Sequence, residues 1–284
     1  MKKYRIFTDG ACDLSPAWCQ AHNVMVLPMY YSLASAIPEA FPGNGMFGSK
    51  QFYDILRKGT IARTAAPGIE DCKTLMRPVL SDGTDILYIG LSSGLSGTYN
   101  VVRLAALELR EEFPDRQIVV PDSGCGSLGE GLLVELVNAE REKGMPFAEL
   151  CSYAGVLRKR IRHEFTVNDL MYLKRGGRIS GGTAFAGTML QIMPLMHLGA
   201  EGKLESVGKV RGRKAALRAL AERTAEGLAA DMPIYVGHCD AEEDARHVRE
   251  MLRRYCANVT VREIGPVIGA HGGPGTVAVF SVGI

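Results

Sequence analysis

No apolar run in these 284 residues approaches the roughly 18 that a membrane-spanning helix needs. The opening string MKKYRIFTDGACD has two lysines, but its apolar stretch is short and broken by Thr8 and Asp9, so it reads as a first strand and not as a signal peptide. The 7 cysteines (Cys12, Cys19, Cys72, Cys125, Cys151, Cys239, Cys256) are odd in number, scattered, and include no C-x-x-C pair. Zinc sites and disulfide frameworks show clustered or paired spacing, so these read as reduced thiols of a cytoplasmic protein. None of the 6 histidines pairs at metal-ligand spacing, and no metal is expected. Charge of one sign is also lacking: 33 Lys and Arg stand against 31 Asp and Glu, which gives no bias toward nucleic acid or a membrane surface. A dinucleotide fingerprint is absent. The string Gly43-x-x-x-x-Gly48-Ser49-Lys50 has its Ser and Lys in the wrong order for a phosphate loop and follows no strand, so no cofactor is expected.

What is present is a chain long enough for about two domains at about 150 residues each, and 46% hydrophobic. Residues 4–8, 24–32, 86–89 and 117–120 read as strands. Between them, Ser15-Pro16 reads as an N-cap and first helical residue, and residues 99–112 carry apolar side chains at helical spacing. Helices are expected over 128–142 and 147–160. Strand and helix in alternation imply a mainly parallel sheet with helices on both faces. The second half differs. A strand over 164–167, a short helix, and a hairpin of 195–198 with 204–210 around Glu201-Gly202 lead to a helix, a strand over 233–238, another helix and two closing strands. The expectation is therefore an α/β protein of two domains, 1–160 with a parallel sheet and 161–284 with a mixed sheet and helices.

The sharpest local motif is Gly90-Leu91-Ser92-Ser93-Gly94-Leu95-Ser96-Gly97-Thr98, which follows a strand and opens a helix. Three glycines, three serines and the free amides of a helix start suit an anion, although a well-capped turn has the same composition. The motif also contains G-x-S-x-G around Ser92, with Asp240 and His271 following in hydrolase order, so a serine acyl hydrolase competes. Asp122-Ser123-Gly124-Cys125-Gly126-Ser127 forms a second strand-to-helix turn, and both turns are expected to face one crevice at the carboxyl ends of the strands. Thr64 could aim its hydroxyl there or cap the next helix. His271 sits in a Gly- and Pro-rich string, residues 264–276, that reads as a turn; a positioned imidazole there could meet a carboxylate. Met189, Ile192 and Met193, in a methionine-rich apolar stretch, could line a lipid pocket or ordinary core.

Together Thr8-Asp9-Gly10-Ala11-Cys12-Asp13-Leu14, residues 91–98, 122–129 and 264–275, and the string Asp169-Leu170-x-Tyr172-Leu173-Lys174-Arg175-Gly176-Gly177-Arg178-Ile179-Ser180 resemble the DegV family. The resemblance implies one long-chain fatty acid held between two α/β domains. It further implies a carrier that is not catalytic alone: the acyl-carrying subunit that presents the carboxylate to a separate ATP-dependent fatty acid kinase. The family's carboxylate contacts fall on Thr64, the serines Ser92, Ser93 and Ser96, with Ser93 the first choice, and His271. Arg178 matches an arginine tied to phosphoryl transfer. Two departures stand out: Thr64-Ala65-Ala66-Pro67 where the family reads Thr-Ser-Gln-Pro, and Gly10 where it reads Ser. A lipid-sensing regulator would share the pocket without needing a kinase. The hydrolase reading requires Ser92 to react with a fluorophosphonate probe, and a carrier is expected to stay unlabelled.

Overall fold

The computed structural model describes residues 3–33, 39–41, 49–179 and 191–284. The first half runs β1 (Tyr4–Asp9), α1 (Pro16–Ala21), β2 (Met25–Leu27), β3 (Met29–Leu33), β4 (Glu39–Phe41), α2 (Ser49–Arg57), β5 (Ala62–Ala65), α3 (Ile69–Ser81) and β6 (Asp85–Tyr88). Then come α4 (Thr98–Glu112), β7 (Ile118–Val119), α5 (Leu128–Glu142) and α6 (Phe147–Leu157). The second half is β8 (Ile161–Thr166), α7 (Met171–Arg175), β9 (Ile192–Leu198), β10 (Leu204–Arg211), α8 (Arg213–Ala225) and β11 (Ile234–His238). It closes with α9 (Glu242–Leu252), β12 (Val259–Glu263), α10 (Pro266–Gly272) and β13 (Val277–Val282).

β2, β1, β6 and β7 form a parallel sheet in that order. Its two faces are both covered, as expected: Phe7, Ile86 and Tyr88 pack under α3 and α4, while Ile6 and Leu87 face the core that contains α5. The apolar run over 24–32 is not one strand. Pro28 has no N–H to give a ladder, so β2 stays with β1 while β3 turns away to pair antiparallel with β4 and β5. The mixed sheet of the second half has the order β10-β9-β8-β13-β11-β12, with β11 and β12 parallel and the other neighbours antiparallel. The expected hairpin is β9 with β10. Val277, Val279, Ile234, Val236, Met193 and Leu195 pack beneath α8 and α9. The alternate residues Ala278, Phe280 and Tyr235 face the first half.

α5 lies between the two sheets. Leu128, Leu132, Leu133, Val134 and Val137 are all buried, so no side of this helix is left for solvent along its first turns. It packs on β1 from one direction and on β8, β11 and β13 from the other. Two glycines permit the approach: a Cβ on Gly129 would lie 2.1 Å from His163 Nε2, and one on Gly131 would lie 2.5 Å from the Cys12 carbonyl. Residues 264–276, read as a turn from their Gly and Pro content, contain α10 instead. Pro266 sits in its first turn, where the missing N–H is harmless and the fixed φ suits a helix. Replacing Gly129 by Ala should cost about 1–3 kcal/mol in urea unfolding; a variant as stable as the parent would mean that α5 has room to shift.

Candidate functional site

Asp9 ends β1, buried, and accepts hydrogen bonds from the Ala11 amide (2.9 Å), the Leu91 amide (2.9 Å) and the Tyr88 hydroxyl (2.5 Å). Burial nevertheless pushes its pKa up. These bonds pin the start of the serine-rich loop. Inside that loop the amides are already used: Ser92 donates to the Cys125 carbonyl, Leu95 and Ser96 to the Ser92 carbonyl, Ser93 to Asp122, Gly94 to Ser92 Oγ and Thr98 to Ser96 Oγ. A loop with so many of its donors engaged is a rigid wall.

The three serines separate accordingly. Ser92 is fully buried and donates to the Gly202 carbonyl at 2.9 Å, tying the loop to the β9–β10 hairpin. Ser93 is exposed and bonded to Asp122. Only Ser96 reaches the apolar cavity, with its hydroxyl paired to Thr98 at 2.9 Å. The arrangement of a hydrolase does not assemble either: among the described residues no hydrogen bond joins Ser92, Asp240 and His271. Asp240 is held by Arg57, and His271 Nε2 faces Thr64.

The cavity is walled from both halves of the chain. The two strand-to-helix turns do face one crevice: Leu91, Leu95 and Ser96 from one, Gly126 and Ser127 from the other. Phe165, Ala278 and Phe280 of the mixed sheet, Leu198 and Leu204 of the hairpin, and Val267 and Ile268 of α10 complete an apolar wall. Thr64, Arg178 and His271 line this cavity and also a polar cleft outside it, shared with Arg63, Tyr172 and Arg175. They therefore stand at the junction of apolar interior and polar exterior.

At that junction Thr64 Oγ1 and His271 Nε2 are 2.7 Å apart and share a hydrogen bond, so Thr64 points across β5 to α10 and caps no helix. Gly176 lets the imidazole in: a Cβ there would meet His271 Nδ1 at 2.2 Å. Gly177 turns the chain at φ +72°, and Arg178 then donates from Nε to the Leu95 carbonyl at 3.1 Å and from its terminal nitrogen to Gly176. Burial, and secondarily the Arg178 charge, lower the His271 pKa to about 4, so the ring is neutral.

Of the expected lining residues, Met189 lies outside the described residues. Met193 packs in the core beneath α8, because strand alternation sends it with Leu195 to the far face of β9, and Ile192 is not among the cavity residues. His163 was missed. Starting the strand at residue 164 hid the period-two pairing that sets His163 and Phe165 on one face.

Residues 3–283 match the DegV family, described as a family of uncharacterised proteins. A DegV domain-containing protein of Clostridium perfringens is 34% identical over 100% of this chain and 98% of its own. Among solved structures, a DegV family protein from Thermus thermophilus, reported for its fatty acid binding, superposes with a TM-score of 0.88 at 29% identity, covering 99% of this chain and 100% of its own. A fatty acid binding DegV family protein from Streptococcus agalactiae gives 0.88 at 28% identity over 100% of both chains.

A histidine in an unfolded chain titrates near 6.5, and His271 in the fold near about 4. Between those values the unfolded state binds more protons. The stability that the neutral ring contributes is thus complete above pH 6.5 and is lost as the pH falls toward 4. His271→Asn cannot protonate, so the variant should lose less stability than the parent between pH 6.5 and pH 4.5, by about 1 kcal/mol per pH unit. Parallel pH profiles in chemical denaturation would show a solvated ring.

Proposed function

Because the chain belongs to the DegV family, we propose that it holds one long-chain fatty acid with its tail in the apolar cavity and its carboxylate at the Thr64–His271 junction. The observation that carries this reading is the sorting of the walls: three polar side chains at the mouth, mostly apolar ones within. A buried carboxylate costs several kcal/mol unless donors meet it. With its proton on Nε2, His271 donates to Thr64 Oγ1 and leaves the Thr64 hydroxyl proton for the carboxylate; the Arg178 guanidinium is the other donor at the mouth, with the Ser96 hydroxyl on the same wall. Ser92 and Ser93 instead hold the loop in shape. The tail provides the drive, at about 0.8 kcal/mol per buried methylene, or roughly 10 kcal/mol gross for a tail of about fourteen before ordering costs. The fatty acid binding of the Thermus thermophilus and Streptococcus agalactiae proteins supports the same class of ligand.

The finer reading is a carrier for a separate kinase subunit. In that step a carboxylate oxygen attacks the γ-phosphorus of an ATP held by the partner, the new O–P bond forms, and ADP leaves. The charge that develops would face a cleft lined by Arg63, Arg175 and Arg178. The product is an acyl phosphate and this chain returns unchanged.

Solvent extraction of the purified protein followed by mass spectrometry should release one fatty acid per chain. Thr64→Val and His271→Ala should each weaken fatty acid binding about tenfold or more, the scale of a hydrogen bond to a charged group. Arg178→Ala should reduce acyl phosphate formation, with the kinase subunit added, more than it reduces binding. Failure of the protein to bind any added long-chain fatty acid would defeat the reading.

A further inference from the structure

The wall of the tail cavity contains one polar ring that the head-group chemistry does not use. His163 is 7% exposed, lies on β8 and faces the cavity beside Phe165 and Phe280, the latter edge-on at 5.5 Å. The Gly126 amide donates to its Nε2 at 3.2 Å. An imidazole nitrogen that accepts from an amide carries no proton, so in the neutral ring the proton is on Nδ1. Among the described residues Nδ1 has no hydrogen-bond partner, yet it is not one of the atoms sealed within the core.

The other hydroxyls inward of the mouth are engaged. Ser96 pairs with Thr98, Ser127 donates to Asp13 Oδ2 at 2.6 Å, and Thr276 donates to the Gly272 carbonyl at 2.8 Å. The ring packs against the Gly129 backbone, where a Cβ would lie 2.1 Å from Nε2, and the Gly126 amide holds it in that orientation. A plain methylene chain laid against this wall would strip the N–H of water and offer nothing in return, the situation in which a site built for a polar group disfavours the analogue that lacks it.

We propose that His163 determines specificity along the tail: its Nδ1–H selects an acyl chain bearing an oxygen substituent, a hydroxyl or an oxo group, over the unsubstituted chain of the same length. This rests on the fatty acid reading and names the ligand class within it. Affinities of the delipidated protein for stearic acid, for oleic acid and for a series of monohydroxystearic acids differing in hydroxyl position would test it. One position in the series should bind about three- to tenfold tighter than stearic acid. In His163→Phe that preference should vanish or reverse while stearic acid still binds. Should the variant fold poorly, the series on the unaltered protein decides alone. Stearic acid binding at least as tightly as every hydroxylated acid overturns the proposal, and so does a gain confined to oleic acid, which would mark a weak contact to a double bond. Loss of all these ligands would instead count against fatty acid binding itself.

Discussion

A helix with no free side along its first turns sets the distance between the two sheets, and the cavity is what remains beyond its N-terminal end. α5 can lie against β8 only because Gly129 leaves room for the His163 ring, and against the first half only because Gly131 clears the Cys12 carbonyl. Any larger residue would push the mixed sheet away from the parallel one. Phe165, Ala278 and Phe280 on one side and Leu91 and Leu95 on the other would then no longer share a cavity. The helix carries its own buried acid, Glu130, which accepts from the Thr8 hydroxyl at 2.9 Å. Burial, with Asp9 close by, pushes its pKa well up.

The acids at the end of β1 act on the site through the backbone. Asp9 anchors the serine-rich loop, and Asp13 accepts from the Gly265 amide at 2.9 Å and from the Ser127 hydroxyl. Asp13 thereby joins the start of α10, which carries His271, to the turn that opens α5. Burial raises its pKa to about 7. Its two bonds offset part of the desolvation of the charged form, and the remainder is a cost that the fold carries in order to hold two cavity walls in register.

Much of this was legible in the residues. Strand and helix periodicity located β1, β6, β7, α4, α5, α6 and most of the second half, the hairpin around Glu201-Gly202 included, but not β4, α2, β5 or α10, and two glycine-rich turns after strands pointed to one crevice. Thr64, Arg178 and His271 do converge, although they are far apart in sequence. What composition could not convey was where donors are spent. Ser92 and Ser93 look like ligand contacts by type, but Gly202 and Asp122, brought in by tertiary folding, take their hydroxyls. Met193 was misplaced for a related reason. A strand's alternation states which residues share a face, and only the packing of α8 states which face is core.

The departures from the family pattern can now be weighed by position. Along β5, Arg63 and Ala65 are exposed while Ala62, Thr64 and, just beyond the strand, Ala66 are half-buried, so Ala65 projects away from the side that meets His271. A serine there would place its hydroxyl outside the junction, and its loss removes nothing that a carboxylate would touch. Gly10 is buried at the end of β1, where its amide donates to the Leu27 carbonyl, and it is not among the residues lining the cavity. Of the three departures, Ala66 alone follows Thr64 on the inward side of the chain, where the family amide would add one more donor. Under the fatty acid reading, the smaller donor set would concentrate recognition on the Thr64–His271 pair and on Arg178. A head group held by so few donors would depend on the tail for most of its affinity, and the shape and polarity of the inner wall would then decide which acyl chain is kept.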